Sequence, residues 1–128
     1  MKLLIDTHIL FWAIMDVPRL PSKVKNALED LDNEIFVSVA SAWEMAIKVG
    51  IGKWPEAANL VRDFEAELAT AQFELLPISL DHVRAAGLMQ ATHRDPFDRL
   101  LAAQARLDGM TLVTTDPKLH GLGAAIIS

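Results

Sequence analysis

Two runs of strand length, Lys2-Leu3-Leu4-Ile5 and Thr111-Leu112-Val113-Thr114-Thr115, carry apolar residues on both alternating faces, and each ends at an aspartate, Asp6 and Asp116. A strand apolar on both faces must be covered on both, which calls for helices above and below a parallel sheet. An acid that closes such a strand lies at the carboxyl rim, where ligands of open α/β sheets bind. Two more acids stand against apolar stretches: Glu44 interrupts the one from Val39 to Val49, and Asp98 opens Leu100-Leu101-Ala102-Ala103. Carboxylates gathered in one pocket repel one another, and the usual relief is protonation of some or a divalent cation bound by all.

A chain of 128 residues with 52% apolar content is the size of one domain able to bury its own core, so residues 1–128 are expected to form a single unit. The absence of cysteine removes disulfides, thiolate nucleophiles and sulfur-ligated zinc. The longest unbroken apolar run, Ile9 to Met15, is too short to span a bilayer, and the first residues lack the basic-then-apolar layout of a signal peptide. A cytoplasmic protein without a membrane partner is the expectation. The net charge of −5 argues against a nucleic-acid partner unless cations neutralise the acidic pocket. Arg94, Arg99, Arg106 and Lys118 supply basic residues in the last third.

The pattern along the chain predicts strands at Lys2–Ile5, Glu34–Val37, Phe73–Ile78, Met110–Thr114 and Ala124–Ile127. Helical segments are expected from Thr7 to about Met15, from Ser22 to Leu31, from a Ser38 cap to the glycines at 50 and 52, and from Pro55 through Leu68. Two more are expected from Ser79 to Leu88 and from Asp95-Pro96 to Leu107, the last closed by Gly109. On the Glu44 helix, Val39, Trp43, Ala46, Ile47 and Gly50 are expected to face the core, and on the Ser22 helix Val24, Ala27, Leu28 and Leu31. Strands alternating with helices give crossover units and a central parallel sheet of four to five strands between helical layers, an α/β/α sandwich.

Each acid has a plain structural explanation beside the functional one. Asp6 and Asp116 both precede segments whose first amides they can cap, Asp116 with Pro117 at the first helical position. Asp95-Pro96-Phe97-Asp98 has the spacing of a cap and its third helical residue, which assigns Asp95 to capping and Asp98 to the first turn. Lys48 stands four residues after Glu44, the spacing of an exposed ion pair, and is otherwise a phosphate contact. His8 is read as packed or capping, His93 as a solvated loop residue, and His82 and His120 as uninvolved. Trp12, Trp43 and Trp54 offer stacking faces but are expected to pack.

Four segments in order, Met1 to His8, Ser38 to Lys53, His93 to Ala105 and Leu112 to Asp116, resemble the PIN-domain ribonucleases, specifically the VapC-type toxins of bacterial toxin–antitoxin pairs. The resemblance implies a PIN-like fold, endonucleolytic cleavage of RNA, Mg²⁺ or Mn²⁺ as cofactor, a homodimer and a cognate antitoxin protein. By position, Asp6, Glu44 and Asp98 match the three principal acids, and Asp116 the fourth. Thr7 and Thr114 match small polar positions beside the metal, and Asp95 belongs to a subgroup's signature. Carboxylates suit hard cations, which lower the pKa of water and shield the phosphodiester. The expectation is that Asp6 and Asp98 ligate the main ion, while Glu44 and Asp116 orient water or complete a second site. In-line attack by water would leave a 5′-phosphate and a 3′-hydroxyl. A phosphoacceptor receiver fits less well, since Asp6 stands alone on its strand. The remaining alternative is a catalytically silent module that binds RNA or a partner chain.

Overall fold

The computed structural model describes residues 1–90 and 93–128. Among these described residues five parallel strands form one sheet: β1 (Lys2–Ile5), β2 (Glu34–Ser38), β3 (Glu74–Leu76), β4 (Thr111–Val113) and β5 (Ile126–Ile127), in the spatial order β3-β2-β1-β4-β5. Chain order runs outward from β1 towards β3, then returns to β1's other side with β4. The switch point therefore falls between β1 and β4, where a crevice opens at the carboxyl ends of the strands. Leu3, Leu4 and Ile5 are completely buried, each side chain stabilising the fold by roughly 1.5–3 kcal/mol.

Alternation assigns the two faces. Leu3, Ile5, Ile35, Val37 and Val113 point into one core layer, against α1 (Thr7–Ile14), α2 (Ser22–Glu29), α4 (Ala58–Arg62) and α5 (Phe64–Ala71). Leu4, Phe36, Leu76 and Leu112 point into the other, against α7 (Pro96–Leu107). The helix α6 (Leu80–Leu88) packs on α7 through Ala86, Leu100 and Ala103. With α3 (Val39–Gly50), seven helices among the described residues flank the sheet, as the α/β/α reading requires.

The α3 helix corrects one expectation and explains the site. Its buried residues are Ala40, Ser41, Glu44 and Met45, while Val39, Trp43, Ala46, Ile47 and Gly50, the expected core face, lie towards solvent. Small Ala40 and Ser41 permit close approach, Ala40 joining Leu100 and Ala103 of α7, and Met45 enters the first core layer. Hydrophobic bulk alone pointed to the wrong face, and Glu44 is buried because it shares the face with the small residues.

Other boundaries moved for local reasons. The α2 helix stops at Glu29, so Leu31 sits beyond it and is 95% exposed rather than in the core. The segment after Pro55 is not one helix but a 3₁₀ turn (Pro55–Ala57) followed by α4 and α5, with the break at Asp63. The expected strand from Phe73 to Ile78 narrows to three residues ahead of Pro77, whose ring removes a ladder donor. The last strand likewise shrinks to Ile126–Ile127.

Candidate active site

The β1 strand ends at Asp6, whose backbone amide still bonds Val113 of β4 at 3.0 Å across the switch point. Its carboxylate caps α1, Oδ1 accepting from the Ile9 amide at 2.8 Å, while Oδ2 accepts from the Thr114 hydroxyl. Thr114 in turn accepts from the Asp116 amide at 3.0 Å, so a single buried hydroxyl ties the acid after β1 to the acid after β4. Asp116 also caps, accepting from the Lys118 amide at 2.9 Å. Capping and lining the cleft are thus compatible for Asp6 and Asp116, each of which holds an amide with one carboxylate oxygen and still borders the cleft.

Glu44 is 7% exposed, and both its oxygens are engaged: Thr7 Oγ1 donates to Oε1 at 2.6 Å, and Lys48 Nζ to Oε2 at 3.0 Å. Ser41 Oγ lies 3.0 Å from the Thr7 hydroxyl. The spacing-four ion pair exists, yet its acid is buried at the sheet's edge rather than solvated. Asp95 caps α7 as expected, accepting from the amides of Phe97 at 2.9 Å and Asp98 at 3.4 Å. Asp98 in the first turn is half-buried and held by His93 Nε2 at 2.7 Å.

Asp6, Thr7, His8, Glu44, Lys48, Asp95, Asp98 and Asp116 line one cleft of about 100 Å³. A roomier hollow of about 480 Å³, between α6 and α7 under Val83 and Leu100, contains no carboxylate and is set apart from this chemistry. Burial pushes the carboxyls of Asp6 and Asp98 above their ordinary value of 3.8. Hydrogen bonds from Thr114 and Ile9 oppose that rise at Asp6, and the His93 bond opposes it at Asp98. Asp116 adds repulsion to Asp6, and Asp95 and Glu44 add it to Asp98. Those acids influence one another, as a shared pocket requires.

The donor set is all hard oxygen with histidine at the margin, which fits Mg²⁺ or Mn²⁺ in kind and suits a soft metal poorly. Among the described residues no three His, Asp or Glu side chains converge as a ready-made ligand cage. That is compatible with Mg²⁺, which commonly takes one or two carboxylates and keeps several waters.

Three residues take parts that the sequence did not disclose. His93 is not a free loop residue, because it clamps Asp98 across a turn whose spacing has no helical period. His82 is not uninvolved: it is 4% exposed, accepts from the Ser79 amide at 3.0 Å through Nδ1, and meets the Asp108 carboxylate at 3.1 Å through Nε2. Arg99, counted among the basic residues, donates to the carbonyls of Ala86, Gly87, Met89 and His93 at 2.5–3.4 Å. Those carbonyls belong to the end of α6 and the link beyond it, so Arg99 satisfies a helix C-terminus, leaving little for a phosphate.

A parallel α/β/α sandwich with five carboxylates around its switch-point cleft defines a class of acid-pocket domains. Within that class the chain belongs to the PIN-domain family, which residues 3–124 match. It is 28% identical over 128 residues to Ribonuclease VapC22 of Mycobacterium tuberculosis (strain ATCC 25618 / H37Rv), the match covering 91% of this chain and 88% of that one. Ribonuclease VapC16 of the same organism is 36% identical over 76 residues, covering 54% and 50%. Among solved structures, VapBC2 from Rickettsia felis bound to a promoter DNA fragment shares the fold at a TM-score of 0.70 and 21% identity, covering 99% of this chain and 98% of that one. VapBC-1 from nontypeable Haemophilus influenzae shares it at 0.68 and 17%, covering 100% and 98%.

Proposed function

We propose that this chain is a divalent-metal-dependent endoribonuclease and the toxin of a toxin–antitoxin pair, acting in the cytoplasm. The observation that carries the reading is the convergence of Asp6, Glu44, Asp98 and Asp116 on one cleft at the switch point of a PIN domain. Its curated relatives are named ribonucleases, and its structural neighbours include VapBC complexes, which supports RNA as substrate and an antitoxin protein as partner. A homodimer is part of the same proposal.

Asp6 and Asp98 are the acids that would hold Mg²⁺ or Mn²⁺, because burial leaves each short of compensating charge. The bound ion supplies a lowered pKa for water and a counter-charge for the phosphodiester. Thr114 fixes Asp6 and links it to Asp116, His93 fixes Asp98, and Thr7 with Lys48 fixes Glu44. Side chains restrained in this way meet the substrate with little reorganisation left to make. Water attacks phosphorus in line, the bond to the 3′-oxygen breaks, and the products are a 5′-phosphate and a 3′-hydroxyl.

Cleavage of a mixed RNA pool is the test, with Mg²⁺, Mn²⁺ or EDTA, by wild type and by Asp6→Asn and Asp98→Asn. The expected outcome is cutting that EDTA abolishes and that either substitution lowers roughly 100-fold or more. Cutting that survives chelation and both substitutions would overturn the mechanism. Size measurement in solution tests the dimer, and a monomer at assay concentration removes it from the proposal.

A further inference from the structure

Beside the acidic cleft lies a row of three aromatic rings with a cation at each end. Lys48 Nζ, 3.0 Å from Glu44 inside the cleft, also lies 5.7 Å from the centre of the Trp54 ring. Trp54 stacks on His8, centroids 5.1 Å apart and planes 23° from parallel. His8 meets Trp12 at 5.9 Å, and the Arg19 guanidinium lies 6.0 Å from the Trp12 ring. Both Lys48 and His8 line the cleft, so the row begins at the candidate reaction centre.

Packing explains part of this row. Phe11 holds Trp54 at 5.0 Å, and both Trp12 and Trp54 border the first core layer. It does not explain the rest, because His8 and Arg19 are exposed and Lys48 and both tryptophans are only half-buried. Partly exposed rings held in place, with a cation at either end, are what a single strand of nucleic acid uses: bases stack on the rings, and phosphates lie near the charges. A duplex has the phosphates but no free base faces for the rings, since its bases are already stacked on one another. In a chain of net charge −5, cations placed at the mouth of an acidic cleft also give a polyanion a local route past the carboxylates.

We propose that single-stranded RNA runs from the cleft along Lys48, Trp54, His8, Trp12 and Arg19, with bases stacked on Trp54 and His8 and phosphates held by Lys48 and Arg19. The proposal rests on the ribonuclease reading for the identity of its ligand. It assigns Trp54 and His8 to substrate positioning, apart from the bond-breaking acids.

The probe is a fluorescein-labelled, random-sequence single-stranded RNA of about 12 nucleotides, within the range one binding domain covers. Anisotropy is read on Asp6→Asn protein with Mg²⁺, alone and combined with each further substitution. Trp54→Leu is expected to weaken binding about tenfold with the salt slope unchanged, and Trp54→Phe to recover most of the loss. Exposed His8→Ala should weaken binding in the same manner. Arg19→Ala should reduce the slope of log K against log salt by about 0.7, the value of one phosphate contact on a single strand. Thermal melting identifies a Trp54 variant that fails to fold, and the surface variants His8→Ala and Arg19→Ala then decide. Unchanged affinity in both, or no binding of the probe, overturns the track. Wild-type cutting alongside unchanged affinity leaves the nuclease reading intact, whereas track-dependent binding without cutting supports the track and removes the nuclease.

Discussion

Asp6 and Asp98 are placed where their charges oppose folding. Their carboxyls lie above the ordinary value of 3.8, chiefly through burial, so the folded chain holds these protons more tightly than the unfolded chain does. The associated stability is fully present below 3.8 and is lost as pH rises through the folded values. Asparagine keeps the shape and the cap acceptor but carries no charge. Asp6→Asn and Asp98→Asn are therefore expected to be more stable than wild type at neutral pH, each by on the order of 1 kcal/mol, and inactive. Urea unfolding across the acid-to-neutral range checks this, because the advantage of each variant over wild type should shrink as pH falls. A constant or reversed difference would show that the two acids are not strained. Asp6, Glu44, Asp98 and Asp116 were legible in the sequence because each ends, interrupts or opens an apolar run. Of their partners, Thr7 and Thr114 were marked by the family resemblance alone, and His93 not at all, because the bonds they make arise only when the loop, α1 and β4 meet in space.

Among the elements, the strands and the start of α7 were plain in the sequence, since apolar runs and an Asp-Pro cap are local signals. The face of α3 was not, because small residues won the close approach to α7 and left Trp43 to pack edge-on against Phe97 at 5.2 Å. What holds α3 in that setting includes a buried polar chain. Ser38 caps the helix by accepting from the Ala40 amide at 2.9 Å and donates to Gln104 Oε1 of α7 at 2.5 Å. Gln104 Nε2 donates to the Pro77 carbonyl at 3.2 Å and lies 3.4 Å from His82. Gln104 is completely buried, so Gln104→Leu leaves Ser38 and Pro77 short of partners and should cost about 1–3 kcal/mol. Ser38→Ala in the same chain should recover part of that loss, since the orphaned hydroxyl is then gone. Denaturant midpoints for the two single variants and the double give the coupling. Costs that simply add would show that Ser38 and Gln104 do not act as a unit.

At the scale of the molecule, the fold concentrates like charge at the one rim where its topology reverses. The sheet order β3-β2-β1-β4-β5 brings Asp6 and Asp116 together from sequence positions far apart, and α3 and α7 deliver Glu44 and Asp98 to the same cleft. Such an arrangement lowers stability until a cation or protons offset the charge, which links binding to folding. A cation that binds only the native state stabilises it by RT ln(1 + [L]/Kd), about 2.7 kcal/mol at a hundred times Kd. Millimolar Mg²⁺ is therefore expected to raise the melting temperature of wild type by several degrees. It should also flatten the fall in stability between the acid range and neutrality, because the ion replaces the protons that Asp6 and Asp98 give up. Asp98→Asn should begin with a higher melting temperature and gain little from Mg²⁺. Calorimetry of both proteins in Mg²⁺ and in NaCl of matched ionic strength separates site binding from screening. Equal shifts in the two salts, or equal gains in the two proteins, would mean that the carboxylate cleft is not where the cation acts.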